Sequence, residues 1–255
     1  MKKLFFVLFF LLPLAGGCAY VEPLIQGFNI VSPAEESQIG AQVAAQVSKE
    51  MKIQSGTSQE QTVRQIGNQL VSALARKDYN YKFYVVDDPT PNAFTIPGGT
   101  IYVHTGLLSL AAGDRDELAG VIAHEIGHAY ERHPAKGISR QYGVEYLSQL
   151  LFKENQSKLK QFSLQLAKQS ILTRYGREDE LAADQVGYEL LGRAGFKTDG
   201  LIRFFKKLQQ VSQGGNVPAF LSTHPPTPER IARLEALDRN RSTLGLAAPA
   251  VQRRY

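Results

Sequence analysis

Apolar residues recur three or four positions apart through most of this chain, the spacing that gives a helix one buried stripe. The first such run opens at Ser32-Pro33-Ala34-Glu35 and carries Ile39, Val43 and Val47. Ser as N-cap, Pro at the first helical position and Glu at the third all favour a helix start there. A second run sets Val63, Ile66 and Leu70 on one face, with Ser58 as the predicted cap and Gln61 closing a capping box. Residues 138–175 read as amphipathic helices interrupted by the polar Lys153-Glu154-Asn155-Gln156. Further helices are predicted over 178–193, from about Asp199 through Leu201, Phe204, Phe205 and Leu208, and after Thr227-Pro228-Glu229 with Ile231, Leu234 and Leu237 inward.

Two segments depart from this period. Residues 81–86 are β-prone, and so are the runs on either side of Gly98-Gly99 between Asn92 and His104. The second pattern predicts a hairpin. Pro97 lacks a backbone donor, so the hairpin belongs at a sheet edge. Asp114-Arg115-Asp116-Glu117 has the Asp-x-x-Glu form of a helix start, and the apolar run Leu118 to Tyr130 follows it. Pro134 disfavours helix in the residue before it, which puts the end near Arg132. The expected class is α+β, mostly helical, with a small β-sheet whose edge hairpin packs on the Leu118–Tyr130 helix.

The chain's 255 residues suffice for one large domain with a sizeable core. Hydrophobic residues at 43% and charged residues at 21% fit a globular protein, not a disordered one. The net charge of +5 is scattered, with Lys2 and Lys3 at the start and Arg239, Arg241, Arg253 and Arg254 near the end. Lacking a long basic run or a nucleic-acid motif, the chain is expected to have no nucleic-acid partner. Its N-terminus reads as an export signal: a basic Lys2-Lys3, an apolar Leu4–Leu14 too short to span a bilayer, and the small Ala15-Gly16-Gly17. Cys18, the single cysteine, follows at once and has no partner for an internal disulfide. Its setting resembles the lipobox of bacterial lipoproteins, with Ala15 where Leu is usual. That resemblance implies cleavage before Cys18 and lipid attachment to it. The expected organisation is a signal peptide over 1–17, a lipidated tether over 18–31, one folded domain over 32–238 and a flexible tail over 239–255.

The Leu118–Tyr130 run contains His124-Glu125-Ile126-Gly127-His128. Positions four apart share a helix face one turn apart, so His124 and His128 can present two imidazoles to one metal ion. Glu125 then lies within reach of a water on that metal. A catalytic zinc site wants a third protein ligand and one open position. A His ten positions after the first would serve, but Pro134 stands there and Glu131 holds the place of the Gly that precedes such a His, so the metzincin arrangement fails. His133, five positions past His128, points off the metal-facing side and is read as structural, as is His104 in its strand. The other solution is a Glu on a later helix. Glu180 and Asp184, four apart, share a face; Glu180 can ligate, and Asp184 can accept the free N–H of a ligand His, fixing its tautomer.

These pieces together resemble the HtpX and CAAX-prenyl-protease family of zinc metallopeptidases, which pairs His-Glu-x-x-His with a later Glu-x-x-Ala-Asp. Here they read His124 to His128 and Glu180-Leu181-Ala182-Ala183-Asp184. Asn92-Ala93-Phe94 before Pro97-Gly98-Gly99 is similar to the family's edge strand, and Thr223-His224-Pro225 with Glu229-Arg230 is similar to the C-terminal motif of its small exported lipoprotein members. The resemblance covers roughly 32–238 and implies a zincin-like domain with one Zn2+ per chain, held by His124, His128 and Glu180. It implies Glu125 as general base, with His224 either stabilising the oxyanion or binding zinc as a fourth ligand in a resting state. Substrate would pair with the strand at Asn92, Ala93 and Phe94, giving broad selectivity for unfolded polypeptide. The expected function is zinc-dependent endopeptidase action on unfolded or misfolded envelope proteins; the alternative is a zinc-binding envelope chaperone without proteolysis. Lipid on Cys18 would tether the protein in the periplasm, on the outer membrane because Ala19-Tyr20 lack the Asp that favours inner-membrane retention.

Overall fold

The computed structural model describes residue 29 and residues 31–152, 156–170, 174–213 and 218–243. The expected signal peptide, Cys18 and most of its tether, and the polar break at 153–155 lie outside the described residues. Helix α1, Pro33–Glu50, opens as its sequence predicts: the Ser32 hydroxyl accepts the Glu35 N–H, and the Glu35 carboxylate accepts the Ser32 N–H. Ile39, Val43 and Val47 are its buried stripe. Helix α2, Ser58–Ser72, begins at the predicted cap itself, and its N-cap is Thr57, one residue earlier. Thr57 accepts the Glu60 N–H at 3.1 Å and Glu60 accepts the Gly56 N–H at 2.7 Å, so this pair replaces Ser58 and Gln61. Gly56 decides the register, because its φ of +73° turns the chain into the helix there.

Three strands follow: β1 Lys82–Val86, β2 Ala93–Ile96 and β3 Thr100–His104. Their order is β1-β3-β2, with β1 parallel and β2 antiparallel to β3. Gly98 and Gly99, both at φ +79°, turn the β2–β3 hairpin. Strand β2, which ends just before Pro97, lies at an edge of the sheet, where a missing donor is tolerated. A short helix that the period did not announce, α3 Thr105–Ala111, leads on to α4, Arg115–Tyr130. Asp114 caps α4 by accepting the Asp116 and Glu117 N–H groups.

Helix α4 stops at Tyr130, and Pro134 is not the cause. Arg132, at φ +60°, reverses the chain, and Pro134 sits in the first turn of α5, His133–Phe152. Within α5, Gly143 departs from helical geometry and kinks it. Helices α6 Gln156–Ser170, α7 Arg177–Ala194, α8 Gly200–Gln213, α9 Ala219–Thr223 and α10 Pro228–Thr243 complete the described chain. Residues 239–243 of the expected tail belong to α10, and 244–255 lie outside the described residues. Asp238 anchors α10 by accepting the Thr198 hydroxyl at 2.5 Å, and the Arg241 guanidinium packs over Gly192, which keeps the helix going to Thr243.

The buried residues form two clusters. The larger joins α2, one face of the sheet, α4, α7, α8 and α10. The smaller joins α1, the other face, α5 and α6. Helix α4 runs through the larger one, packed on α7 and α8. Gly127 lets α4 and α7 touch backbone to backbone: a Cβ there would lie 2.6 Å from the Ala183 carbonyl oxygen. The result is a mostly helical α+β domain with a three-stranded sheet. Among the described residues, no helix is long and apolar enough to cross a membrane.

Candidate metal centre

The meeting of α4 and α7 brings His124, His128 and Glu180 together, and the turn after α9 adds His224. One donor atom from each lies within 4.8 Å of all the others. His124 Nε2 is 3.1 Å from His128 Nε2 and 3.3 Å from His224 Nδ1. Glu180 oxygens are 3.5 Å from each α4 imidazole and 3.0 Å from His224 Nδ1. Two nitrogens bound tetrahedrally to one zinc, at the usual bond length, sit about 3.3 Å apart. The donor set is imidazole and carboxylate, it is buried, and its spacings fit such an ion. Glu125 lies beside it, fully buried like both α4 histidines. The Thr95 hydroxyl on β2 is 2.7 Å from Glu125 Oε2 and 3.0 Å from the Glu125 carbonyl oxygen, while Glu125 Oε1 is 3.4 Å from His224 Nε2.

Around the donors stand residues that fix them. Asp184 Oδ1 is 2.9 Å from His124 Nδ1, which leaves Nε2 to face the cluster. Arg230, only 2% exposed, grips both Asp184 oxygens at 2.7 Å, lies 2.6 Å from Glu180 Oε2 and donates to the Pro225 carbonyl at 3.0 Å. One guanidinium therefore ties the carboxylate donor, its supporting Asp and the turn that bears His224. On the other side, His128 Nδ1 meets His133 Nδ1 at 2.9 Å, and His133 Nε2 is 3.4 Å from Asp179. With His128 Nε2 facing the cluster, its Nδ1–H donates to His133, whose Nε2–H points to Asp179. The Tyr175 ring stacks on His128, centroids 4.0 Å apart.

The electrostatics follow from burial against charge. Burial lowers the His124 imidazole, but hydrogen bonds to Asp184 and Glu180 outweigh it and raise it to about 9. Burial, with the neighbouring imidazoles, pushes His128 well below its ordinary range. For Asp184, burial acts upward, and the Arg230 and His124 hydrogen bonds override it, keeping the carboxylate ionised. Burial lowers His133 to about 4, against the pull of Asp179, so at neutral pH it is an uncharged relay.

The sequence predicts a structural place for His133 and carries no local signal for Thr95, Tyr175 or the role of Arg230. The reversal at Arg132 is what swings His133 back onto His128, and a positive φ at an Arg carries no sequence signal. Asn92, Ala93 and Phe94 do lie at the edge strand. They are 1%, 0% and 3% exposed, Phe94 is stacked on Tyr102, and the Asn92 side chain accepts the Ala93 N–H. In this conformation they offer substrate no surface. His104 is not among the clustered donors, and its Nδ1 lies 3.2 Å from the Thr90 carbonyl oxygen.

Comparison with known proteins agrees with this geometry. The chain is 31% identical over 174 residues to the mitochondrial metalloendopeptidase OMA1 of Schizosaccharomyces pombe, covering 68% of this chain and 51% of that one. It is 28% identical over 198 residues to the metalloprotease YcaL of Escherichia coli, covering 76% and 72%. It is 26% identical over 215 residues to the beta-barrel assembly-enhancing protease of Escherichia coli, covering 80% and 44%. The chain thus spans about half the length of the OMA1 and beta-barrel assembly relatives. Residues 57–238, which carry every donor of the cluster, match the model of peptidase family M48, and the chain belongs to that family.

Proposed function

We propose that this chain is a zinc-dependent endopeptidase, with one zinc held by His124, His128 and Glu180 and with Glu125 as general base. The observation that carries the reading is the position of Glu125: a buried carboxylate beside an imidazole–carboxylate donor set, which a purely structural metal site does not need. Zinc bound there supplies Lewis acidity, bringing the pKa of a water near neutrality and polarising a peptide carbonyl. Thr95 holds Glu125 Oε2, so Oε1 is the oxygen free to take a proton from the attacking water and hand it to the leaving amine. Asp184 and Arg230 keep His124 and Glu180 aimed while this happens.

Of the two roles expected of His224, its placing within the donor set favours the resting one. A fourth protein donor fills the position that a catalytic site keeps open. The buried edge strand fits the same closed state. Activity then requires the turn at His224–Pro225 to withdraw.

The substrates we infer are unfolded or misfolded envelope polypeptides. The relative named for beta-barrel assembly supports that class, and backbone pairing along an uncovered β2 would read little side-chain identity. Lys2-Lys3, the apolar Leu4–Leu14 and Cys18 support export, lipidation and residence at the outer membrane facing the periplasm. The competing reading is a zinc-binding chaperone that does not cut.

Metal content and digestion of an unfolded protein, compared among wild type, Glu125→Gln and His224→Ala, test these readings together. Wild type and Glu125→Gln should hold equal metal, and Glu125→Gln should cut roughly 10²–10⁴-fold more slowly. His224→Ala should cut faster if His224 is a latch, and roughly 10²–10³-fold more slowly if it stabilises the oxyanion. Metal-loaded wild type and His224→Ala both failing to cut would leave the chaperone.

A further inference from the structure

A cavity of about 250 Å3 opens next to the donor cluster. Its walls include Thr95, which holds Glu125, His133, which backs His128, and Tyr175, which stacks on His128. That volume falls just below the range of small-molecule pockets and suits a single side chain of a longer ligand. Ile138 and Leu166 give it an apolar lining. Pro97, the residue after β2, also lines it, so a chain lying along that strand would run into the cavity.

The charge of this cavity is one-sided. Arg140 and Arg174 line it, and among the described residues no Asp or Glu does. Arg140 is occupied by Asp179 at 3.0 Å. Arg174 is exposed and forms no ion pair among the described residues. A guanidinium free at the mouth of an apolar cavity, beside a site for polypeptide, is a recognition element for a carboxylate.

We propose that this cavity is a substrate subsite that receives a carboxylate carried on extended polypeptide, with Arg174 selecting it. The inference rests on the peptidase reading and adds a specificity to it. Two sources share the chemistry, an Asp or Glu side chain near the scissile bond and a free chain terminus. Arg174 is exposed, so its substitution leaves the fold intact, and solvent limits its effect to about fivefold.

The test uses the full chain loaded with zinc and a set of quenched fluorescent peptides, C-terminally amidated, with Glu, Gln or Lys moved through each position. One Gln peptide carries a free C-terminus. At one position, kcat/KM should rank Glu above Gln above Lys by about fivefold steps, and Arg174→Glu should reverse the order. If a free terminus is the carboxylate received, the non-amidated Gln peptide exceeds its amidated twin instead, and Arg174→Glu removes that gain. The same peptides are bound to Glu125→Gln, read by fluorescence anisotropy, with and without Arg174→Glu. A charge ranking that Arg174→Glu leaves unchanged, or none in either cleavage or binding, overturns the subsite. Absence of cleavage by wild type and His224→Ala alike, with the binding preference intact, overturns the peptidase reading and leaves the subsite standing.

Discussion

Arg230 shows how much of this site rests on one side chain that meets no substrate. It is a buried cation whose partners are the carboxylates of Asp184 and Glu180 and the carbonyl of Pro225. A buried pair broken from one side leaves the other charge stranded, which costs about 3–5 kcal/mol. Arg230→Met should therefore destabilise the fold by that order in urea titration. Arg230→Lys keeps the charge but loses the two-pronged grip on Asp184, and should weaken zinc affinity about 10–100-fold in competition with a chelator. Equal zinc affinity in wild type and Arg230→Lys would show that Arg230 serves packing alone. His124 and His128 were legible because their spacing repeats the turn of a helix, and Glu180 because its Glu-x-x-Ala-Asp setting resembles that of a known family. Arg230 was not, because its partner Asp184 is 46 positions away and only folding joins them.

At the scale of elements, the contact of α4 with α7 decides whether the donors meet. Any side chain at Gly127 runs into the carbonyl of Ala183 at 2.6 Å, and a backbone carbonyl in a helix cannot step aside. Gly127→Ala gains about 1 kcal/mol of helix propensity but should lose more by prising the helices apart, for a net destabilisation of about 1–3 kcal/mol and weaker zinc binding. Gly137, in α5, has nothing within 4 Å of a built Cβ, so Gly137→Ala should stabilise by about 0.5–1 kcal/mol. Urea titration of both variants checks the pair; a stabilised Gly127→Ala would mean the helices are not locked here. Elements whose signals are local were readable in the chain: the Ser32 box, the Asp114 cap and the Gly98-Gly99 hairpin. Helices α3 and α9 are too short for a period to show. The start of α5 was hidden because it depends on the left-handed Arg132, which Glu36, Tyr79 and the Val31 carbonyl hold from other parts of the fold.

At the scale of the whole molecule, a metal held by this cluster would also be a clasp, since the candidate donors come from α4, from α7 and from the turn after α9. A ligand that binds only the folded state stabilises it by mass action, and zinc at a thousandfold excess over Kd should raise Tm by roughly 10 °C for a domain of this size. Chelation should remove that gain, and an unchanged Tm would mean that the donors hold no metal. The size of the drop depends on pH through His124. Its metal-free imidazole is held up to about 9, above the ordinary 6.5, so its proton stabilises the metal-free fold fully below 6.5 and ceases to as pH rises through 9. Proton and zinc compete for the same nitrogen, so the Tm lost to chelator should be smaller at pH 6 than at pH 9. Every residue of α4 from Glu117 to Ala129 is buried. On the proposed reading, this orders the molecule's own decay. The helix that does the cutting becomes digestible only once its donors have separated, so each molecule is disarmed before its core can be consumed.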